Sequence, residues 1–327
     1  MELRKDPITR SWVVAGYSET DQVPQDPCPL CPESRIEIQQ LLSLPRQGPW
    51  RVRVFPHFHP LYQIEAEPSR AAEGIYDRMA ATGAHEIIVE TRDHQRSLGD
   101  MSDEEIEMVL EAYAQRIADL KQDARFKYVT IFKNRGVQAG EEWTHAHSQL
   151  TATTFVPRRV LYELRSARLW YRERERCVFC DILRQEIRQE KRIVDNAGDY
   201  YAFAPYAARV PFETWLMPRT HNHQFELPIP GENRRQLASL LRRTLRRIIG
   251  VTSTYHMVLH TAPNTLQTKG ELSEYWRTIA GDYHWHIEIL PIVQQRSKSY
   301  SIKEIYSNGL LPEEAAERLR QIDPERQ

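Results

Sequence analysis

All four cysteines of this 327-residue chain lie in two Cys-x-x-Cys pairs, Cys28/Cys31 and Cys177/Cys180, and each pair is followed by two histidines in matching places. Paired cysteines in a chain with no secretory signal read as metal ligands or redox sites before structural disulfides. The first pair sits in Pro27-Cys28-Pro29-Leu30-Cys31-Pro32, a proline-bound knuckle, not the strand-to-helix junction of a redox motif. That favours zinc. The order then repeats: Cys-x-x-Cys, a strand ending near a histidine, a helix, a strand, and a strand carrying His-x-His. The repeat predicts two Cys₂His₂ sets, Cys28, Cys31, His94 and His145 in the first half, and Cys177, Cys180, His221 and His284 in the second. Both are closed tetrahedral donor sets of the structural kind. The competing reading is two buried thiol pairs with unrelated histidines.

The rest of the chain fits a duplicated α+β fold. Strands are expected at 11–14, 51–55, 85–90 and 127–133, with 65–84 as a loop and a turn at 134–136. Ser102-Asp103-Glu104-Glu105 is a capping box opening a helix whose inward stripe is Ile106, Val109, Leu110, Tyr113, Ile117 and Leu120. An Arg- and Glu-dense bridge over 157–176 reads as helical. The second half offers strands at 200–204 and 212–217, a helix over 233–249, strands at 255–260 and 284–290, and a helix over 313–321. Two such units, 1–156 and 157–327, predict an antiparallel half-barrel sheet with helices packed on one face.

Composition removes whole classes of function. Basic and acidic side chains number 44 and 45, a net charge of −1, so there is no electrostatic case for nucleic acid or membrane surfaces. No apolar run is long enough to span a bilayer, and Met1-Glu2-Leu3-Arg4-Lys5-Asp6 is too polar for a secretory signal, which predicts a cytoplasmic protein.

Chemistry concentrates in His145-Ala146-His147-Ser148-Gln149, at the start of an apolar strand. Residues two apart on a strand share a face, so His145, His147 and Gln149 form a row. With His145 committed to the metal set, His147 is the candidate nucleophile: a neutral imidazole attacks phosphorus and leaves again readily. Gln149 donates its amide to a phosphoryl oxygen but offers no proton. That suits transfer to an acceptor that brings its own anionic oxygen.

These residues, with Arg4-Lys5-Asp6-Pro7, Trp12-Val13-Val14, Asp93-His94, Asn134-Arg135-Gly136, Pro211-Phe212-Glu213-Thr214 and His284-Trp285-His286, resemble the galactose-1-phosphate uridylyltransferase family of the histidine-triad superfamily over nearly the whole chain. The two-zinc pattern is similar to the branch that includes plant ADP-glucose phosphorylase. The resemblance implies a homodimer acting on a nucleotide sugar and a sugar phosphate by a ping-pong route through a nucleotidyl-His147. It also implies Asn134, Ser148 and His57 as substrate-binding residues. A third metal set, Glu163, His260, His286 and Glu288, falls at the places where some relatives hold iron; a hydrogen-bonded polar cluster is the competing reading.

Several positions depart from the family pattern. Gly16-Tyr17-Ser18-Glu19-Thr20-Asp21 lacks the usual Arg-x-x-Arg. Glu142 replaces a phosphate-donating serine, His57 an asparagine near the nucleotide, and Ala146 a proline. Ser299-Tyr300-Ser301-Ile302-Lys303-Glu304 stands in place of the Gly-rich sugar segment. The nucleophile and scaffold match while the acceptor pocket is rebuilt. A nucleotide-sugar phosphorylase or hydrolase, or a non-catalytic zinc-binding relative, are the alternative readings.

Overall fold

A computed structural model describes residues 1–17, 27–34, 39–266, 273–293 and 306–326. Ser18–Asp21 and the 299–304 segment, singled out above as departures, lie outside them.

Fourteen strands form two antiparallel sheets among the described residues. The small one has the order β2 (Trp12–Ala15), β1 (Glu2–Lys5), β6 (Tyr76–Ala80), β5 (Ala71–Glu73). The large one has ten strands. Outward from its middle, the first half supplies β8 (Tyr128–Arg135), β9 (His147–Thr153), β7 (Gly83–Val89), β4 (Val52–Pro56) and β3 (Leu42–Leu44). In the other direction the second half supplies β13 (Tyr255–His260), β14 (His286–Pro291), β12 (Thr214–Pro218), β11 (Tyr200–Phe203) and β10 (Ile193–Ala197). The two halves meet where β8 pairs antiparallel with β13, Tyr255 opposite Arg135 and Leu259 opposite Ile131. Chain order and sheet order therefore match strand for strand between the halves.

One sheet face carries the main core. Helix α1 (Asp103–Leu120) starts at Ser102, whose hydroxyl accepts from Glu105 N–H (3.3 Å) while the Glu105 carboxylate accepts from Ser102 N–H (2.8 Å). Its buried residues include all six of the expected stripe. Helix α4 (Gly231–Ile249) buries Leu237, Leu240, Leu241, Leu245 and Ile248 into the same cluster. That cluster also takes Ile88, Leu150 and Val129 from the first half and Leu216, Met257 and Ile287 from the second, so one core serves both halves. The C-terminal helix α7 (Pro312–Gln321) joins it through Ala315, Ala316 and Leu319.

Helices are not confined to that face. α2 (Arg158–Arg174), α3 (Val178–Gln189) and the short helices α5 (Ser273–Trp276) and α6 (Ile279–Asp282) cover the opposite face of the second half. Alternation shows it: on β12 Leu216 enters the main core while Met217 enters the α2–α3 cluster, and Ala202 and Phe203 divide in the same way on β11. The sequence reading did not assign α3, although Phe179, Ile182, Leu183 and Ile187 recur at helical spacing. In the first half the knuckle packs on the matching face, where Cys28, Leu30, Phe55, Ile87, Val89 and Trp143 cluster.

Two further expectations are corrected. The 65–84 stretch is not a plain loop; it holds the β5–β6 hairpin, whose β5 side chains are all exposed and leave no apolar alternation to read. Asn134 and Arg135 continue β8, and the chain turns only at Gly136, whose φ of 88° suits glycine. β7 is buried along its whole length, and Gly83 lets it approach β9: a Cβ there would meet the Ala152 carbonyl oxygen at 2.3 Å.

Candidate active site

The exposed-side face of β7, β8 and β9 gathers the chemistry. β9 begins at His147, and Phe132 on β8 and Ile87 on β7 flank Gln149. His147, Gln149, Asn134 and His85 therefore share that face.

Nδ1 of His147 donates to the His145 carbonyl at 2.8 Å. A carbonyl only accepts, so the neutral ring carries its proton on Nδ1 and its lone pair on Nε2. Burial, followed by the positive charge of Lys133, pushes the His147 pKa down to about 4. The ring is 3% exposed and Trp143 packs edge-on against it at 5.4 Å.

Gln149 is clamped from both ends. Leu61 N–H donates to His85 Nδ1 (3.2 Å), so His85 carries its proton on Nε2 and donates it to Gln149 Oε1 (2.9 Å). Gln149 Nε2 donates to Glu142 Oε1 (2.8 Å), and His57 Nε2 donates to Glu142 Oε2 (3.1 Å). The His57 and His85 rings stack at 4.0 Å and 4°, which closes the ring of contacts. Burial, and then the neighbouring His57, lower His85 to about 4. Burial opposes ionisation of Glu142, but the His57 hydrogen bond and charge hold its pKa below the ordinary value. The two departures, His57 and Glu142, are thus one hydrogen-bonded pair.

Asn134 accepts from His256 Nδ1 at 2.9 Å, which leaves its NH₂ as the donor group. Ser148 is different. Expected to bind substrate, it points into the core on the other face, fully buried, donating to Glu90 (2.5 Å) with Tyr113 OH at 2.6 Å. One step along a strand reverses the side, which is why it cannot join His147. Beneath it Lys133 Nζ bridges Glu90 (2.7 Å) and the His147 carbonyl (2.8 Å).

The two predicted Cys₂His₂ groups are assembled, each with its four ligand atoms within 4.8 Å of one another. Cys31 Sγ lies 3.4 Å from His94 Nδ1 and 3.5 Å from His145 Nδ1; Cys180 Sγ lies 3.3 Å from His221 Nδ1 and 3.4 Å from His284 Nδ1. The imidazole pairs cross at 82° and 81°, with centroids 5.2 Å apart in both. His145 and His221 donate their other nitrogen to the Thr91 and Ala280 carbonyls, leaving Nδ1 to face the thiols, as metal-binding histidines require. These groups can hold a metal ion.

Residues 8–157 match the family model described as the galactose-1-phosphate uridyl transferase N-terminal domain. The galactose-1-phosphate uridylyltransferase of Thermotoga maritima is 28% identical over 99% of both chains. The ADP-glucose phosphorylase of Arabidopsis thaliana is 27% identical over 98% of this chain and 93% of its own. A solved uridylyltransferase structure superposes with a TM-score of 0.81 at 28% identity, covering 98% of this chain and 97% of that one. Over nearly its whole length the chain is similar to galactose-1-phosphate uridylyltransferases. An ADP-glucose phosphorylase from Arabidopsis thaliana, solved with bound ADP-glucose, superposes with a TM-score of 0.79 at 25% identity over 99% of both chains.

The second half repeats the row of Asn134, His147 and Gln149 in strand register. Val258 pairs with Glu288 as Phe132 pairs with Gln149, so Glu288, His286 and His260 stand where Gln149, His147 and Asn134 stand. With Glu163 from α2 they form the third candidate set, also within 4.8 Å. Within the set His260 Nδ1 lies 3.2 Å from Glu163 Oε2, His260 Nε2 3.6 Å from Glu288 Oε2 and His286 Nε2 3.8 Å from Glu288 Oε1, so imidazoles and carboxylates face one another. Glu288, however, is engaged by Arg209 (2.7 Å) and Arg159 (2.9 Å), which balance its charge without an ion. Sequence reasoning missed His85, His256, Trp143 and Lys133 as site residues. Strand register would have found His85, two residues before Ile87 on the same face.

Proposed function

We propose that the chain is a nucleotidyltransferase that moves a nucleotidyl group from a nucleotide sugar to a sugar 1-phosphate through His147. The observation that carries this is the His145 carbonyl bond that leaves Nε2 of a neutral His147 as the free nucleophile. Nε2 attacks the α-phosphorus, the phosphorus–oxygen bond to the sugar phosphate breaks, and sugar 1-phosphate departs as an anion that needs no acid. The acceptor's phosphate oxygen then attacks and the pair of electrons returns to Nε2. Gln149, held by His85, and Asn134, held by His256, supply amide donors for the phosphoryl oxygens.

Zinc is the ion we assign to both Cys₂His₂ groups, on the strength of two thiolates and two imidazoles in each. We also propose two duplicated units, 1–156 and 157–327, supported by their matched strand order, and a cytoplasmic homodimer. Intact-protein mass after incubation with UDP-glucose, and separately ADP-glucose, tests the reading. A gain of UMP or AMP that is absent in His147→Ala is expected; no gain with either donor would overturn it. A second reading, inorganic phosphate as acceptor, is favoured by the Arabidopsis thaliana relative named as a phosphorylase. Phosphate releasing the label as a nucleoside diphosphate, faster than a sugar 1-phosphate releases it as a nucleotide sugar, would establish it.

A further inference from the structure

The nucleotidyl-His147 reading, on which this inference rests, gives Glu142 no part in the chemistry beyond holding the Gln149 amide. A sugar 1-phosphate brings an ionised oxygen and needs no base, and a carboxylate beside its path repels it. A carboxylate assists only an acceptor that must lose a proton. Glu142 is placed for that. Its Oε1 binds the Gln149 amide, the donor assigned to the phosphoryl oxygens, so the carboxylate is one hydrogen bond from the reacting group. Its side chain is 41% exposed, whereas His57, His85, His147 and Gln149 are all at 5% or less, so solvent meets the buried row at this carboxylate. The second oxygen is held by His57, which fixes the carboxylate's direction.

We propose that Glu142, oriented by His57, is the general base that passes the nucleotidyl group to water, so that the site also hydrolyses nucleotide sugars to nucleoside monophosphate and sugar 1-phosphate. In the step a water oxygen bonds to phosphorus, the phosphorus–Nε2 bond breaks, and its electron pair returns to Nε2. The water proton goes to Glu142 and from there to solvent. Water is the only co-reactant and nothing is oxidised. A base of this kind is worth about 100-fold or more in rate.

The test uses the full chain, labelled by UDP-glucose or ADP-glucose, freed of excess donor, and followed by intact mass in H₂¹⁸O buffer with and without glucose 1-phosphate. The parent should lose its label to buffer and release nucleoside monophosphate carrying ¹⁸O. In Glu142→Gln the label should persist about 100-fold longer in buffer, and the ratio of loss to glucose 1-phosphate over loss to water should rise. His57→Gln should move both readouts in the same direction. Equal lifetimes in parent and Glu142→Gln, or a parent label stable in buffer, would overturn the inference and leave the covalent reading standing. No label in the parent would overturn both.

Discussion

Around His147, each side chain's task follows from which atoms its neighbours already occupy. The His85–Gln149 bond decides which end of the amide faces the cleft, so His85→Phe should slow nucleotidylation while donor binding holds. We expect a drop of about 10- to 100-fold in single-turnover labelling, the usual cost of a misplaced reacting group, with the donor concentration for half-maximal rate little changed. Behind the strand, Lys133 and Glu90 are 1% and 0% exposed at their side chains. Lys133→Met would strand the Glu90 charge in the core and should cost about 3–5 kcal/mol in urea unfolding. The shared face of His147 and Gln149 was legible because His-x-His-x-Gln is contiguous on one strand. The His57–Glu142 pair was not, since its members lie 85 residues apart and only the sheet brings them together. Ser148 was misplaced for the opposite reason: adjacency in sequence is separation across a strand.

Among the elements, α1 shows a local signal surviving into the structure. Hydrogen bonds from Arg96 draw the Glu105 pKa down to about 2, against an ordinary 4.5, with burial opposing. A carboxylate with a depressed folded pKa stabilises above its unfolded value, and that contribution is lost as pH falls from about 4.5 to about 2. Thermal melts across that range should therefore fall less steeply for Arg96→Met than for the parent, at a lower starting Tm. Ser102→Ala should cost about 1 kcal/mol by removing the cap from Glu105 N–H. Capping and a 3.6-residue stripe made α1 readable before any fold was known. α3 has the stripe but no capping side chain at Cys177, and the β5–β6 hairpin has neither signal, its β5 side chains being exposed.

At the scale of the whole chain, one core beneath ten strands couples the halves. Cys177→Ser lies far in sequence from His147, yet it should lower the Tm of a single cooperative transition, because α3 and β14 connect its candidate metal group to the shared sheet. Two separate transitions in calorimetry, or a metal content below one ion per chain in carefully purified protein, would contradict that. The repeated order of Cys-x-x-Cys, helix and His-x-His anticipated the matched strand order of the two halves of the sheet. It did not reveal that the second half covers its matching face with α2 and α3 while in the first half that face carries the candidate site.

The β8–β13 junction has a consequence for how the protein behaves when scarce. Two half-sheets on separate chains would obey mass action and part as their concentration fell. Here the peptide bonds through α2 tether them, so the stoichiometry is always one to one and each half meets the other at an effective concentration that dilution cannot change.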